Sequence, residues 1–451
     1  MKLTCWGGVG AVTGANFLME GSGGSFLIDC GLRQGDRFGE AENYEAFPYD
    51  TSKVNALIIT HAHMDHIGRI PKLVRDGFRG VIYSTRETHR LTEIMFGDAL
   101  SLLTREAKAH GIAPLYEKND VDRALTLWQE VPYHSERELL PGVTFYLKDA
   151  GHILGSSMVE VRSNGTKMLF TGDLGNSPSL LLNDTESPEG ADYVLMESVY
   201  GDRNHETHEE RDTHFAEILK ETIARGGTTV VPAFSLERTQ NILYSLNNLI
   251  EEGKLASVPV FVDSPLAIKV TEIYRAEQKN FNADIKKEIA GGDDIFNFPK
   301  LQFTVTTHES DAIEKTQGPK IILAGSGMSA GGRVTKHEKA YIGDPKNTIL
   351  LVGYQSVGTL GRKIQDGART LVIDNETITV RAHIENVQGF SSHKDSDHLV
   401  EFIGECVETV KKVFVVMGEP KSSLFLVQKL RDNLDVDALF PEKGIQYDLE
   451  F

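Results

Sequence analysis

The stretch His61-Ala62-His63-Met64-Asp65-His66 sets three imidazoles and a carboxylate within six residues, directly after the apolar run Ala56-Leu57-Ile58-Ile59-Thr60. Imidazole nitrogens and carboxylate oxygens are donors that zinc accepts, and two histidines one residue apart on extended backbone can reach a single ion. The pattern predicts a metal-dependent hydrolase. The plainer reading is a loop of solvated histidines, and ligand types this dense after a buried strand outweigh it. Asp65 and His66 also open the helical run 67–74, so Asp65 reads equally well as a helix N-cap. The two roles are compatible.

The elements that must position such a site carry acids at their ends. Gly24-Ser25-Phe26-Leu27-Ile28 leads into Asp29, Thr166-Lys167-Met168-Leu169-Phe170 leads into Thr171-Gly172-Asp173, and Tyr193-Val194-Leu195-Met196 leads into Glu197. Open α/β sheets place their ligand crevice at the carboxyl ends of strands, so one shared site is expected. His152, in Ala150-Gly151-His152-Ile153-Leu154-Gly155-Ser156, and Asp173 are the groups that would complete a binuclear centre. A carboxylate can bridge two zinc ions, and water held between them loses a proton near neutral pH. By itself Asp173 would be an ordinary turn aspartate.

The chain has 451 residues, 40% of them hydrophobic, which is enough for two domains with real cores. No run of eighteen apolar residues occurs and Met1-Lys2-Leu3-Thr4-Cys5-Trp6-Gly7-Gly8 is no signal peptide, so a soluble, cytoplasmic protein without membrane attachment is expected. Cys5, Cys30 and Cys406 are too few and too scattered for a disulfide framework or a thiolate zinc site. A formal charge of −18 argues against indiscriminate phosphate binding, although a local basic groove is compatible with it. Periodicity predicts a long packing helix over 86–110. From 209 to 369 apolar strands alternate with helices, as in a parallel-sheet α/β domain, whereas 370–451 returns to strands too few to stand alone. The expected organisation is therefore an α/β core in two stretches, 1–208 and 370–451, interrupted by a parallel-sheet domain at 209–369.

Taken together these motifs resemble the metallo-β-lactamase superfamily and its β-CASP branch of nucleases. Asp29, the His61 to His66 cluster, His152 and Asp173 match the superfamily's metal motifs in order. Glu197 in Glu197-Ser198-Val199-Tyr200-Gly201 and His393 in Gly389-Phe390-Ser391-Ser392-His393 resemble the first two β-CASP motifs, and Pro232-Ala233-Phe234, Asp263-Ser264-Pro265 and Gly353-Tyr354-Gln355 match connecting phrases. The resemblance implies an αββα sandwich with an inserted β-CASP domain, and one or two zinc ions per chain. By position, His61, His63 and His152 would hold one zinc, Asp65 and His66 the other, with Asp173 bridging and Asp29 orienting the ligands behind them. Asp65, Glu197 and His393 are the candidate catalytic groups, with His393 protonating the leaving group and Glu197 holding it. Ser326-Gly327-Met328 and Ser392 are candidate contacts to substrate phosphate, and a tight strand-to-helix turn explains the first three equally well.

One position departs from that pattern. RNA-processing members carry a last metal-binding histidine in a Val-His-Gly-Glu-like segment, and this chain reads Val416-Met417-Gly418-Glu419. A thioether is a soft donor, so Met417 is expected to pack and to weaken the second metal position. DNA-acting members carry an apolar residue there. The leading expectation is a zinc-dependent nuclease of single-stranded nucleic acid, RNA before DNA, with a homodimer left open. A small-molecule hydrolase on the same sandwich and an inactive nucleic-acid-binding member are the competing readings. His205, His208 and His214 read as a solvated face. His337 and His383 are possible cleft residues without an assigned role.

Overall fold

The computed structural model describes residues 1–35 and 37–451. It divides into two compact units, one formed by Met1–Asn204 with His393–Phe451 and the other by His205–Ser392.

The first unit contains two seven-stranded sheets. In spatial order one runs Gln446–Asp448, Lys2–Gly7, Asn16–Gly21, Gly24–Ile28, Val54–Ile58, Val81–Ser84, Trp128–Glu130. The other runs Ala438–Leu439, Lys412–Val415, Tyr193–Met196, Thr166–Phe170, Ser157–Ser163, Val143–Asp149, Arg137–Leu140. Strand alternation sends successive side chains to opposite faces, and the sequence obeys it on both. Phe17, Met19, Phe26, Ile28 and Ile58 of the first sheet share one buried core with Phe145, Val159, Met168, Phe170, Leu195 and Phe414 of the second. The intervening Leu18, Leu27 and Leu57 point the other way, onto Leu73 and Val74 of the Ile70–Arg75 helix and Phe96 of the Arg86–His110 helix. Leu169, Val194 and Val413 likewise meet Leu399 and Ile403 of Ser396–Gly404 and Leu426 and Leu430 of Pro420–Leu434. The layers are helix, sheet, sheet, helix. This is the αββα sandwich expected from the sequence.

Parallel pairing brings the strand ends that matter to common edges. Gly24–Ile28 pairs parallel with Val54–Ile58, and Thr166–Phe170, Tyr193–Met196 and Lys412–Val415 are parallel neighbours. Asp29, His61, Asp173 and Glu197 therefore all follow strands at carboxyl ends.

In the second unit six parallel strands form a sheet in the order Leu301–Phe303, Val260–Asp263, Lys320–Ala324, Thr228–Pro232, Thr348–Leu351, His383–Asn386. The boundaries differ from 208/209 and 369/370. His383–Asn386 hydrogen-bonds to Thr348–Leu351 as an edge strand, and those backbone groups tie 370–392 to this unit. Just before that edge strand, Glu376–Thr379 folds back on Thr370–Ile373 as a hairpin. Among the described residues, no helix is long and apolar enough to cross a membrane.

The helix expected over 67–74 is two short pieces, Met64–Ile67 and Ile70–Arg75, with Pro71 in the first turn of the second. His63 occupies the N-cap position and Asp65 the first turn, so Asp65 is not the cap. Gly31 lets the loop after Asp29 run against this turn: Cys30 N donates to His66 O at 2.8 Å, and Ala15 N to Asp65 O at 2.9 Å. A Cβ on Gly31 would lie 1.5 Å from the Asp65 carbonyl oxygen, which is backbone and has no rotamer to escape through. Gly31→Ala is expected to cost about 1–3 kcal/mol by overpacking. Thermal unfolding checks this, and Gly97→Ala, where no atom lies within 4 Å and φ is likewise not positive, is the comparison without overpacking.

Candidate metal centre

Four side chains from three chain segments converge in the sandwich. His61 Nε2 lies 3.0 Å from His63 Nδ1, and His152 Nε2 lies 3.3 Å from the same atom. Asp173 Oδ2 is 3.4 Å from His61 Nε2 and 3.6 Å from His152 Nε2. Metal bonds of about 2.0–2.1 Å in a tetrahedral array set their donors roughly 3.3 Å apart, which matches these separations. Three imidazoles and a carboxylate are also a donor set that zinc accepts. The residues fit a divalent ion.

Electrostatics favours the ligand forms. Burial, and then the neighbouring His61, holds His63 well below the ordinary histidine range. Burial, and then His393, does the same for His152, and burial, then His66, lowers His61. These imidazoles are neutral, which metal binding requires. Burial opposes the ionisation of Asp173, but His66 and His61 outweigh it and keep the carboxyl well below its usual range. A negative charge stays in the centre.

Behind the ligands stands a hydrogen-bonded frame. Asp29, at a positive φ of 59°, accepts from Thr60 N and from Thr60 Oγ1, both at 2.8 Å, and meets His66 Nδ1 at 2.7 Å. The Thr60 hydroxyl in turn sits 3.0 Å from His61 Nδ1. Because that hydroxyl donates to Asp29, it accepts from His61 Nδ1–H, which fixes the tautomer that aims Nε2 into the centre. Thr60, which in the sequence is only the end of an apolar run, thereby joins Asp29 to His61.

His66 and Asp65 stand apart from the four. With Nδ1 committed to Asp29, His66 turns Nε2 toward Asp173 Oδ1 at 3.3 Å and Asp65 Oδ2 at 3.9 Å. His66 Nε2 and Asp173 Oδ1 are both buried without a hydrogen-bond partner. Such groups are costly unless something polar or charged joins them. Burial works against a charged His66, yet Asp173, Asp29 and Asp65 together hold it well above its ordinary range. Burial raises Asp65.

His393 reaches the centre from the returning chain. It bridges Gly175 in antiparallel fashion, and Lys394 N donates to Leu174 O at 2.9 Å. Its Nδ1 is 3.1 Å from both Glu197 oxygens, and its ring centroid is 4.6 Å from that of His152. Glu197 is buried, accepts from Leu174 N at 2.6 Å, and has its pKa raised by that burial against the pull of His393.

The remaining candidates lie in the second unit. Ser326, Gly327 and Met328 follow the Lys320–Ala324 strand in a tight turn, in which Ser329 N donates to Ser326 O at 3.2 Å and Ser326 Oγ accepts from Ala330 N at 2.9 Å. Ser392 is the last residue of that unit. His337 is wholly buried, with Nε2 2.7 Å from an Asp263 carboxylate that also takes Ser310, Thr304 and Arg333, so it serves the interior. His214 is half-buried and 3.6 Å from Glu206.

Comparison with known proteins agrees with this geometry. Residues 9–207 match the metallo-beta-lactamase superfamily, 239–364 the Beta-Casp domain, and 377–441 the Zn-dependent metallo-hydrolase RNA specificity domain. The chain is 36% identical over 427 residues to ribonuclease TTHA0252 of Thermus thermophilus, covering 94% of this chain and 95% of that one. It belongs to the β-CASP branch of the metallo-β-lactamase superfamily. An RNase J-like protein of Methanocaldococcus jannaschii is 32% identical, with 94% of each chain covered. A crystal structure of a protein of unknown function from Enterococcus faecalis superposes with a TM-score of 0.58 at 13% identity over 99% of both chains, which shows the fold alone.

Within this β-CASP chain, Met417 packs. It is buried in the core between the two sheets at a positive φ of 49°, its N–H donates to Gly8 O at 2.6 Å, and a Cβ on Gly8 would lie 2.5 Å from its sulfur. The thioether fills the space that glycine leaves. For the hydrogen-bonded frame, Thr60→Val is expected to weaken metal binding about 10–100-fold, as loss of a ligand-orienting partner does. Thr60→Ser, which keeps the hydroxyl, should retain the affinity. Competition with a chromophoric chelator measures both.

Proposed function

We propose that this chain is a zinc-dependent ribonuclease that hydrolyses phosphodiester bonds of single-stranded RNA in the cytoplasm. The observation that carries the reading is the His393–Glu197 pair standing directly beside a four-ligand metal centre. A small-molecule hydrolase needs the centre alone, whereas breaking a phosphodiester also requires a proton for the departing oxygen. The names of the relatives, a ribonuclease and an RNase J-like protein, support RNA.

In this reading His61, His63, His152 and Asp173 hold one zinc, and Asp65, His66 and Asp173 hold a second, weaker one. Zinc bound there supplies Lewis acidity, drawing charge from the phosphodiester and acidifying water. The protein does the rest. Asp29 and Thr60 lock the orientation of His61 and His66. Glu197 accepts the Nδ1–H of His393 and stabilises the imidazolium, whose Nε2–H is the proton given to the leaving oxygen. Burial of Glu197 removes water that would otherwise weaken its hold on the imidazole. With a net charge of −18, affinity for RNA must come from local contacts, for which Ser326, Gly327, Met328 and Ser392 are the candidates.

Cleavage of labelled single-stranded RNA, with DNA of the same sequence alongside, tests the proposal. His393→Ala is expected to lower kcat about 10²–10⁴-fold, the usual share of a general acid, while the tightly bound zinc stays in place. Intact RNA after incubation with the zinc-loaded protein would contradict the reading, and cleavage of DNA alone would transfer it to DNA. Met417→His is expected to tighten a second equivalent of zinc about tenfold or more, as restoring a coordinating or ligand-orienting group does. Equilibrium dialysis reads that change.

A further inference from the structure

Among the described residues, two sets of donor atoms each lie within 4.8 Å of one another: His61, His63, His152 and Asp173, and separately Asp173, Glu197 and His393. The first is the metal centre. In the second, the Glu197 carboxylate lies against the His393 imidazole. We propose that Asp173, Glu197 and His393 form an additional divalent-metal position, filled when free metal is in excess, whose occupancy switches the enzyme off.

Geometry supports an ion there. His393 Nδ1 sits 3.1 Å from each Glu197 oxygen, close to the roughly 3.3 Å between donors of a tetrahedral ion with bonds near 2.0 Å. A cation can therefore replace the proton shared by this pair with little movement of either side chain. One imidazole and two carboxylates suit zinc, manganese or cobalt. Glu197, with no exposure, and Asp173, with 3%, supply the anionic donors. Asp173 Oδ1 is buried without a hydrogen-bond partner. The His393 side chain keeps 19% exposure, which leaves a way in.

The second position that the family pattern implies is the weaker competitor in this chain. Asp65 and His66 fall in neither convergent set, Asp29 takes His66 Nδ1, and Met417 packs against Gly8 where a further donor is expected. Surplus metal then competes with His66 for Asp173, whose Oδ1 faces His66 Nε2 at 3.3 Å, and the Glu197–His393 pair offers it two more donors. When the ion arrives, the Nδ1 proton leaves to solvent and Glu197 no longer orients the ring. The loss of activity rests on the proposed proton delivery by His393, while metal binding does not.

Equilibrium dialysis with zinc, and absorbance titration with cobalt(II), on the full chain and on Glu197→Gln and His393→Gln test the proposal. Beyond its tight metal, the wild type is expected to bind a weak equivalent that depends on Glu197 and His393, separate from the one held by Asp65 and His66. Each variant should keep the tight metal and lose at least about tenfold in affinity for the weak one, since removing a ligand costs no less than removing a ligand's partner. RNA cleavage by the wild type should fall over the same zinc concentrations. Unchanged weak binding in both variants, or weak binding lost only in Asp65→Asn and His66→Gln, overturns the site. If the variants lose the weak equivalent but the wild type cleaves no RNA, the site stands and the ribonuclease reading fails. If RNA is cleaved and weak binding is untouched, the reverse holds.

Discussion

Crowding of unprotonated imidazole nitrogen and carboxylate oxygen in a water-poor pocket is the constraint from which the rest follows. His61 and His63 approach to 3.0 Å through nitrogens that cannot both carry protons without repulsion, and Asp173 Oδ1 and His66 Nε2 are buried with no hydrogen bond. Groups arranged this way are expensive in isolation and favourable around a cation. The centre is built for a charge it does not itself supply.

Holding that crowd in place takes backbone as well as side chains. Parallel pairing brings Asp29, His61, Asp173 and Glu197 to strand ends, so that their loops meet without long excursions. Asp29 then binds Thr60 twice and His66 once, and the Gly31 backbone presses on the turn that carries Asp65. The last stretch of chain closes the unit: Lys412–Val415 pairs with Tyr193–Met196, and His393 bridges Gly175 to reach Glu197. One end of the two-sheet sandwich thus carries both the candidate metal ligands and the His393–Glu197 pair.

Much of this was legible from residue types. Gly24–Ile28, Thr166–Phe170 and Tyr193–Met196 were readable as short apolar strands, and the acids after them announced a shared crevice. The ligand cluster was readable because four donors rarely fall so close together by chance. Thr60 was hidden because a threonine at the end of a strand looks like strand propensity, and only the tertiary position of Asp29 turns its hydroxyl into a relay. The boundary near 369 was misplaced because a parallel edge strand has no local signature: His383–Asn386 belongs with Thr348–Leu351 through hydrogen bonds made across long chain separation. The hairpin between them broke the expected rhythm.

X-ray absorption at the zinc edge of the purified, zinc-loaded chain bears most directly on the centre. The arrangement of His61, His63, His152 and Asp173 predicts a first shell of nitrogen and oxygen alone at about 2.0–2.1 Å, with the outer-ring scattering typical of imidazole. A sulfur neighbour at about 2.3 Å, or zinc without imidazole scattering, would contradict it.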